Sequence, residues 1–409
     1  MLSRILRDSF MFAAAGTLAA QTPTPPAADA APVALAAPAA ASKPKPPAEP
    51  FPNLGLLFRD DDASVLNEFW VLGRYHGQYH WSNGGAEDDE GWDNRRFRLG
   101  TQFRMFKNLT VHAQSVSADD PDDWDPRYNG FTELWAGWRF DDAFTLTVGQ
   151  QKHRFTHDRN VSSRYISYLE RGQLTNMFRA DYTPAITGSG RIGAWSYYAG
   201  VFTNKTSDHM DDSFTDLDSG ESVLATVTRD LGDAFGTDTA FLNVSGVHSE
   251  ANDNATNLNW FEDGLASALI LTEGPASLVT EVTAGLGDAT GDAKGDCYGL
   301  NLQPTLFLTD TLQLATRYQF AWSAGDDGLR AQRRYERDAG MSTGDQYQAA
   351  YLGLNHYLAG HRLKVMYGAE YSTLGGQECV TFSVMFRMFF GPHSRGPFPM
   401  GDTLHGVWD

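Results

Sequence analysis

Between Gln150 and Phe178 the chain gathers Lys152, His153, Arg154, His157, Arg159, Arg164 and Arg171, interleaved with Tyr165, Tyr168 and Phe178. Cations at this density attract anions, and a guanidinium stays charged at any relevant pH while gripping carboxylate or phosphate through two parallel N–H bonds. A second basic set is spread thinly: Arg74, Arg96, Arg98, Arg104, Arg139, Arg317, Arg362, Lys364 and Arg387. Each stands where polar and apolar residues alternate, on the polar side. Collected on one enclosed surface, these side chains would face and concentrate anions, because low-dielectric walls focus the field. The competing use is structural, with the same arginines pairing with Glu133, Glu281 and Glu370 and keeping a polar wall hydrated.

Other chemistry is poorly supported. The sequence holds no G-x-S-x-G, no HExxH, no phosphate loop and no compact Cys/His pairing, so neither an enzyme nor a cofactor is expected. His76, His80, His112 and His153 lie on or near the polar faces; they either line a polar surface or titrate below about pH 6.5, and their spacing fits no zinc site. Acidic clusters at 87–90, 119–125 and 208–218 are solvated loops or hold divalent cations that bridge lipopolysaccharide, without EF-hand spacing. Cys297 and Cys379 are too few for a disulfide scaffold; they are inert or form a single bridge. The formal net charge of −19 argues against a general nucleic-acid binder.

The elements that position the basic residues are strands. Phe144, Leu146 and Val148 alternate with Thr145, Thr147 and Gly149 before the pattern stops at Gln150, so a strand opens into the basic run. The same period of two recurs from Val65 onward, near 69–81, 96–106, 109–116, 131–140, 180–192, 195–204, 222–229, 239–249, 265–272, 277–286, 297–308, 312–322, 346–358, 362–372 and 379–390. With the strand before the basic run, that makes about sixteen. Short turns alternate with long polar loops, as an up-and-down barrel with one turn rim and one loop rim requires.

A soluble sandwich also alternates, with its apolar face inward. Strands of about ten residues, aromatics near both strand ends and the even spacing fit instead an all-β, transmembrane antiparallel β-barrel with an aqueous lumen. Residues 1–20 read as an export signal: Arg4 and Arg7 precede an apolar run and small residues follow it. Residues 21–52 are an Ala/Pro-rich linker, 65–390 the barrel, and 391–409 a Gly/Pro-rich tail.

The order of several pieces resembles the phosphate-selective porin O and P family of bacterial outer-membrane channels. They are DNRRFRLGTQFRMFKNLTVHAQ, ELWAGWRFDDAFTLTVGQQKHRF, SSRYISYLERG, WSYYAGVFTN, LGLNHYLAGHRLKVMY and VTFSVMFRMFF. The resemblance implies a sixteen-stranded barrel in outer-membrane lipid, usually a homotrimer, with the third long loop folded inward as the constriction. The basic run lies on that third loop, and Lys152 is the loop lysine that matches a constriction lysine. Two other readings remain: a secreted sugar-binding β protein using Trp124, Trp135, Trp138 and Trp260 as stacking platforms, and a structural barrel whose linker, through Lys43 and Lys45, reaches toward the cell wall.

Overall fold

The computed structural model describes residues 51–84, 87–117, 128–206, 217–291 and 294–392. The expected export signal, most of the linker, the acidic cluster at 119–125 with Trp124, most of that at 208–218 and nearly all of the tail lie outside these residues. The strands are β1 (Leu56–Arg59), β2 (Leu66–Asn83), β3 (Asp88–Met105), β4 (Leu109–Ser117), β5 (Tyr128–Arg139), β6 (Thr145–Lys152), β7 (Tyr182–Ile192), β8 (Trp195–Thr203), β9 (Gly220–Gly232) and β10 (Thr239–Ala251). They continue as β11 (Asp263–Glu273), β12 (Ala276–Leu286), β13 (Cys297–Phe307), β14 (Leu312–Ser323), β15 (Leu329–Arg330), β16 (Thr343–Gly344), β17 (Gln346–Tyr357), β18 (Leu363–Leu374) and β19 (Gln377–Phe390). Two short helices, α1 (His157–Asn160) and α2 (Gln173–Met177), interrupt the basic loop.

Leaving aside β1, β15 and β16, sixteen strands pair antiparallel with their chain neighbours, and β19 pairs with β2 to close the sheet. Closure removes every free edge, which a lipid-embedded sheet must do because hydrocarbon offers backbone groups no partner. Among the described residues no helix is long and apolar enough to cross a membrane.

The alternation read from sequence settles into an inside-out protein. Outward-facing Val201, Leu265, Val282, Leu352 and Phe382 are each more than half exposed, whereas inward-facing Asn67, Gln78, Gln313 and Asn355 are fully buried. A soluble sandwich would bury the first set, so the sugar-binding reading fails. Its platforms are used otherwise: Trp135 stacks on His112 inside the barrel, Trp260 is buried, and Trp138 faces outward. Trp138, Trp195 and the stacked Phe140–Phe144 pair girdle the turn rim; Tyr371 and the stacked Tyr298–Trp322 pair do so at the loop rim.

Two features depart from expectation. The acidic run at 87–90 is largely strand: Asp88–Asp93 pair in register with Gln78–Asn83, and His80 Nε2 lies 2.7 Å from Asp89 Oδ2. Hydrogen-bond partners across the hairpin, His80 on Asp89 and Asn83 on Asp88, made strand possible where charge alone suggested a loop. The second is β1, which takes the β2 edge just beyond the end of β19, with Gly391 N–H donating to Leu54 O at 2.9 Å.

Candidate functional site

The segment 153–181 bonds to strands around the whole circumference. Its backbone amides at His157 and Asp158 donate to the Glu281 carboxylate of β12, at 2.5 and 3.4 Å. Gln173 N–H donates to Gln319 on β14, Ser167 O accepts from Asn355 on β17, and Asn160 bonds Asn243 on β10. Arg95 on β3 grips both oxygens of Glu170, at 2.6 and 3.0 Å. A loop bearing so many backbone polar groups can be buried only if the wall satisfies them, which is the use made of the polar inward faces.

Several arginines expected to face anions are spent on this task. Arg387 donates to the carbonyls of Ser163, Ile166, Tyr168 and Leu169. Lys364 reaches Ile166 O at 2.9 Å, and Arg317 joins Glu170 O to the Glu370 carboxylate. Arg362 holds the carbonyls of Pro52 and Gly391. Arg104 pairs with Asp61 and Glu68 near the turn rim. Arg139 is a correction: its side chain is 61% exposed and paired with Asp142 three residues on, because it falls at the strand end beyond the lumen.

The loop's own basic residues are likewise engaged. Lys152 donates to the carbonyls of Asn160 and Val161, Arg171 to those of Asp158 and Val161, and Arg164 to Pro392 O. Arg159 pairs with Asp181, and Arg154 lies over the Tyr198 ring. His153 bonds Thr183 Oγ1 at 2.8 Å; burial, with Arg159 beside it, pushes its pKa down to about 3. It therefore stays neutral, which removes the titrating alternative for this histidine, since burial penalises the charged form. Burial alone takes His157 down to about 4. Glu170 is held well below the ordinary carboxylate range: burial would raise it, but the Arg95 guanidinium outweighs that.

Arg74, Arg96 and Arg98 remain, with Arg95, on one wall. Arg74 and Arg98 are direct cross-strand partners, a like-charge pair that a sheet ordinarily avoids. Arg74 donates to Ser163 Oγ and Arg98 to Tyr182 Oη, while the Nε of each is buried without a partner among the described residues. Arg95 was not expected here, since strict alternation points it at lipid. A register shift between His76 and Gly77 leaves Arg95 unpaired in the ladder and turns it to the lumen.

Sequence reasoning also missed a second in-folded loop, 324–345. Its Tyr335 bonds Gln78 on β2, Glu336 accepts from Tyr347 Oη at 2.7 Å, and Gln332 donates to Arg171 O. Burial and the neighbouring Glu370 raise Glu336 to about 7. The signal was present in LRAQRRYERD, a basic, aromatic run like the first. Among the described residues no His/Cys/Asp/Glu group has the arrangement of a metal site.

A closed sixteen-strand barrel with an apolar exterior, a polar lumen and polar loops bonded inside it defines a porin of the bacterial outer membrane. The family model described as "Phosphate-selective porin O and P" matches residues 70–259, where the quoted motifs up to WSYYAGVFTN lie. No curated protein matches the chain. Among solved structures, an anion-selective porin from Comamonas acidovorans superposes with a TM-score of 0.57 at 13% identity, covering 79% of this chain and 99% of that one. Outer-membrane OmpT of Vibrio cholerae gives 0.57 at 12% identity, covering 82% and 100%. OmpF of Salmonella typhi in complex with daunomycin gives 0.56 at 11%, covering 81% and 100%. At these identities the likeness is one of fold.

Proposed function

We propose that this porin is a passive diffusion channel for small hydrophilic solutes with a preference for anions, narrowed by the 153–181 loop and without catalytic activity. The observation that carries the reading is the β2–β3 wall, where Arg74 stands opposite Arg98 with no carboxylate among the described residues bonded to either. A like-charge pair costs stability, and one with no carboxylate in hydrogen-bond contact gains from a mobile anion that neutralises it. Outer-membrane lipid around the apolar belt and a homotrimer complete the proposal, with residues 1–20 as export signal, 21–52 as periplasmic linker and 391–409 as a tail. The Comamonas porin's description as anion-selective is in keeping with it.

A second reading has its own observation. Phe155, Leu174, Phe178, Trp260, Phe261, Leu329 and Met341, drawn from three loops, form one buried apolar cluster. A lumen filled this way could belong to a structural barrel that does not conduct. Single-channel recording of the purified protein in a planar bilayer under a salt gradient separates the two. A reversal potential on the anion side supports the channel; cation preference removes the anion reading, and silence favours the plug.

A further inference from the structure

Resting on the channel reading, we propose that residues 393–409 are a tethered blocker: they occupy the turn-side mouth of the lumen and obstruct it, so conduction is set in part by the chain's own tail. The direction in which the last strand leaves the wall carries this. Phe389 of β19 is buried and meets Tyr165 of the 153–181 loop edge to face at 5.8 Å, while Arg164 of the same loop lies over the Phe389 ring at 5.0 Å. Gly391 then takes a φ of 120°, a backbone that favours glycine, and a Cβ there would lie 2.8 Å from Leu72 Cδ2. Leu72 is buried on the inward face of β2, two residues before Arg74. The chain turns toward the lumen as it ends the sheet.

Three bonds fix that exit. Gly391 N–H donates to Leu54 O at 2.9 Å, Arg362 donates to Gly391 O at 3.2 Å, and Arg164 donates to Pro392 O at 3.0 Å. Arg362 also holds Pro52 O, but the neighbouring Phe51 is 68% exposed whereas Gly391 is buried. The N-terminal segment therefore comes in over the exposed rim, and the C-terminal one departs from the lumen side, beside the tip of the constricting loop. Whatever follows Pro392 starts in the opening through which solutes must pass.

The sequence of the segment suits the place. Its seventeen residues are rich in Gly and Pro and carry Asp402 and Asp409 against Arg395. A flexible chain of that length spans about 20–25 Å end to end, enough to sweep a wide mouth. Arg164 and Arg362 at its root set a positive field that favours a net-acidic segment. Tethering holds it at an effective concentration of about a millimolar, so weak contacts suffice for a brief, reversible block.

The test compares the full chain with a form ending at Pro392 by single-channel recording. The full chain should show brief closures that the shorter form lacks, and the shorter form should carry about twofold more time-averaged current. A synthetic peptide of residues 393–409 at about millimolar concentration should restore the closures from the turn side and not from the loop side. Closures and mean current unchanged by the deletion overturn the proposal and leave the channel reading intact; silence in both forms removes the channel reading and the blocker with it. Thiol labelling tests the placement even if the shorter form does not fold. In the full chain, Met400→Cys should react with a bulky polyethylene glycol maleimide about tenfold more slowly than Ala40→Cys in the linker, the factor being set by the fraction of time spent outside the mouth. A small thiol reagent should label both alike, since the native Cys297 and Cys379 are buried. Equal rates with the bulky reagent overturn the proposal.

Discussion

The two sides of the lumen hold the same loop by different physics. Toward β9–β13 an apolar cluster dominates beside the Glu281 and Asn243 bonds: Phe155 and Phe178 meet edge to face at 4.6 Å, Phe261 packs on Phe178 at 4.9 Å, and Leu224, Val247 and Ala266 of the wall complete the cluster. Toward β2–β5 it is polar and sparse, with Arg95 on Glu170, Arg74 on Ser163 and several orphaned nitrogens. Apolar burial is undirected and strong, so the apolar side fixes where the loop sits. That leaves the polar side free to serve whatever passes.

The largest test of this division is truncation on the apolar side. Phe178→Ala should cost about 3–5 kcal/mol, the usual range for a buried phenylalanine, read by urea unfolding in detergent, and should give larger, noisier single-channel currents. Wild-type stability and conductance would mean that the loop is not seated by its aromatics. Gly264→Leu approaches the same cluster from the wall, since even a Cβ there would lie 2.7 Å from Phe155 and Phe178; it should loosen the loop without removing an aromatic.

Arg387→Ala comes next. It strips the donors from four loop carbonyls in a fully buried place, and each orphaned group costs about 1–3 kcal/mol unless water reaches it. Hydrogen exchange should rise at residues 163–169 while the barrel strands stay protected. Arg387→Lys should rescue only part of the loss, because an ammonium cannot fork to four acceptors.

Acid supplies a smaller, graded perturbation. His153 and His157 have folded-state pKa values of about 3 and 4, below the ordinary 6.5. The unfolded or released loop therefore binds protons that the seated loop refuses, and stability falls as pH drops from about 6.5 toward 4. Asp181, held ionised down to about 2 by Arg159, adds its own loss only below its ordinary 3.8, where the released loop takes up a proton that the seated one refuses. Flickering that begins between pH 6 and 5 and is delayed in His157→Gln fits; flickering confined below pH 4 would assign it to carboxylates instead.

How much of this was legible in the sequence follows from which rule each feature obeys. All sixteen barrel strands were readable, because burial on one face writes period two into residues such as Leu312, Leu314 and Thr316. Phe106 and Lys107, both at positive φ, close the β3–β4 hairpin where a short turn was expected. The site was less legible. Alternation assigns a side chain to a face without saying what it meets there, so Arg387 and Arg317 looked like solute ligands when they are loop anchors. Arg139 failed because alternation carries no depth. The 324–345 loop and Arg95 were missed because in-folding and a ladder irregularity are decided by packing between segments distant in sequence.

Arg95 also gives the finest test of the comparison, since it differs from Arg139 in location and not in charge. The register shift beside Gly77 places Arg95 in the lumen, where its side chain is 18% exposed and bonded to Glu170. Arg139 sits in open solvent at the turn rim, where salt screens it within about 8–10 Å. Arg95→Gln removes one lumen cation and leaves the Glu170 carboxylate without its paired guanidinium, so the charge lining the passage shifts by one unit toward negative. The anion-to-cation permeability ratio should fall about twofold or more, read as a reversal-potential shift of a few millivolts toward the cation side. Arg139→Gln should leave the reversal potential unchanged within error. Equal shifts would show that solutes sense net charge and not the wall; a shift in Arg139→Gln alone would place the selective region at the turn rim and undo the contrast between the two sides.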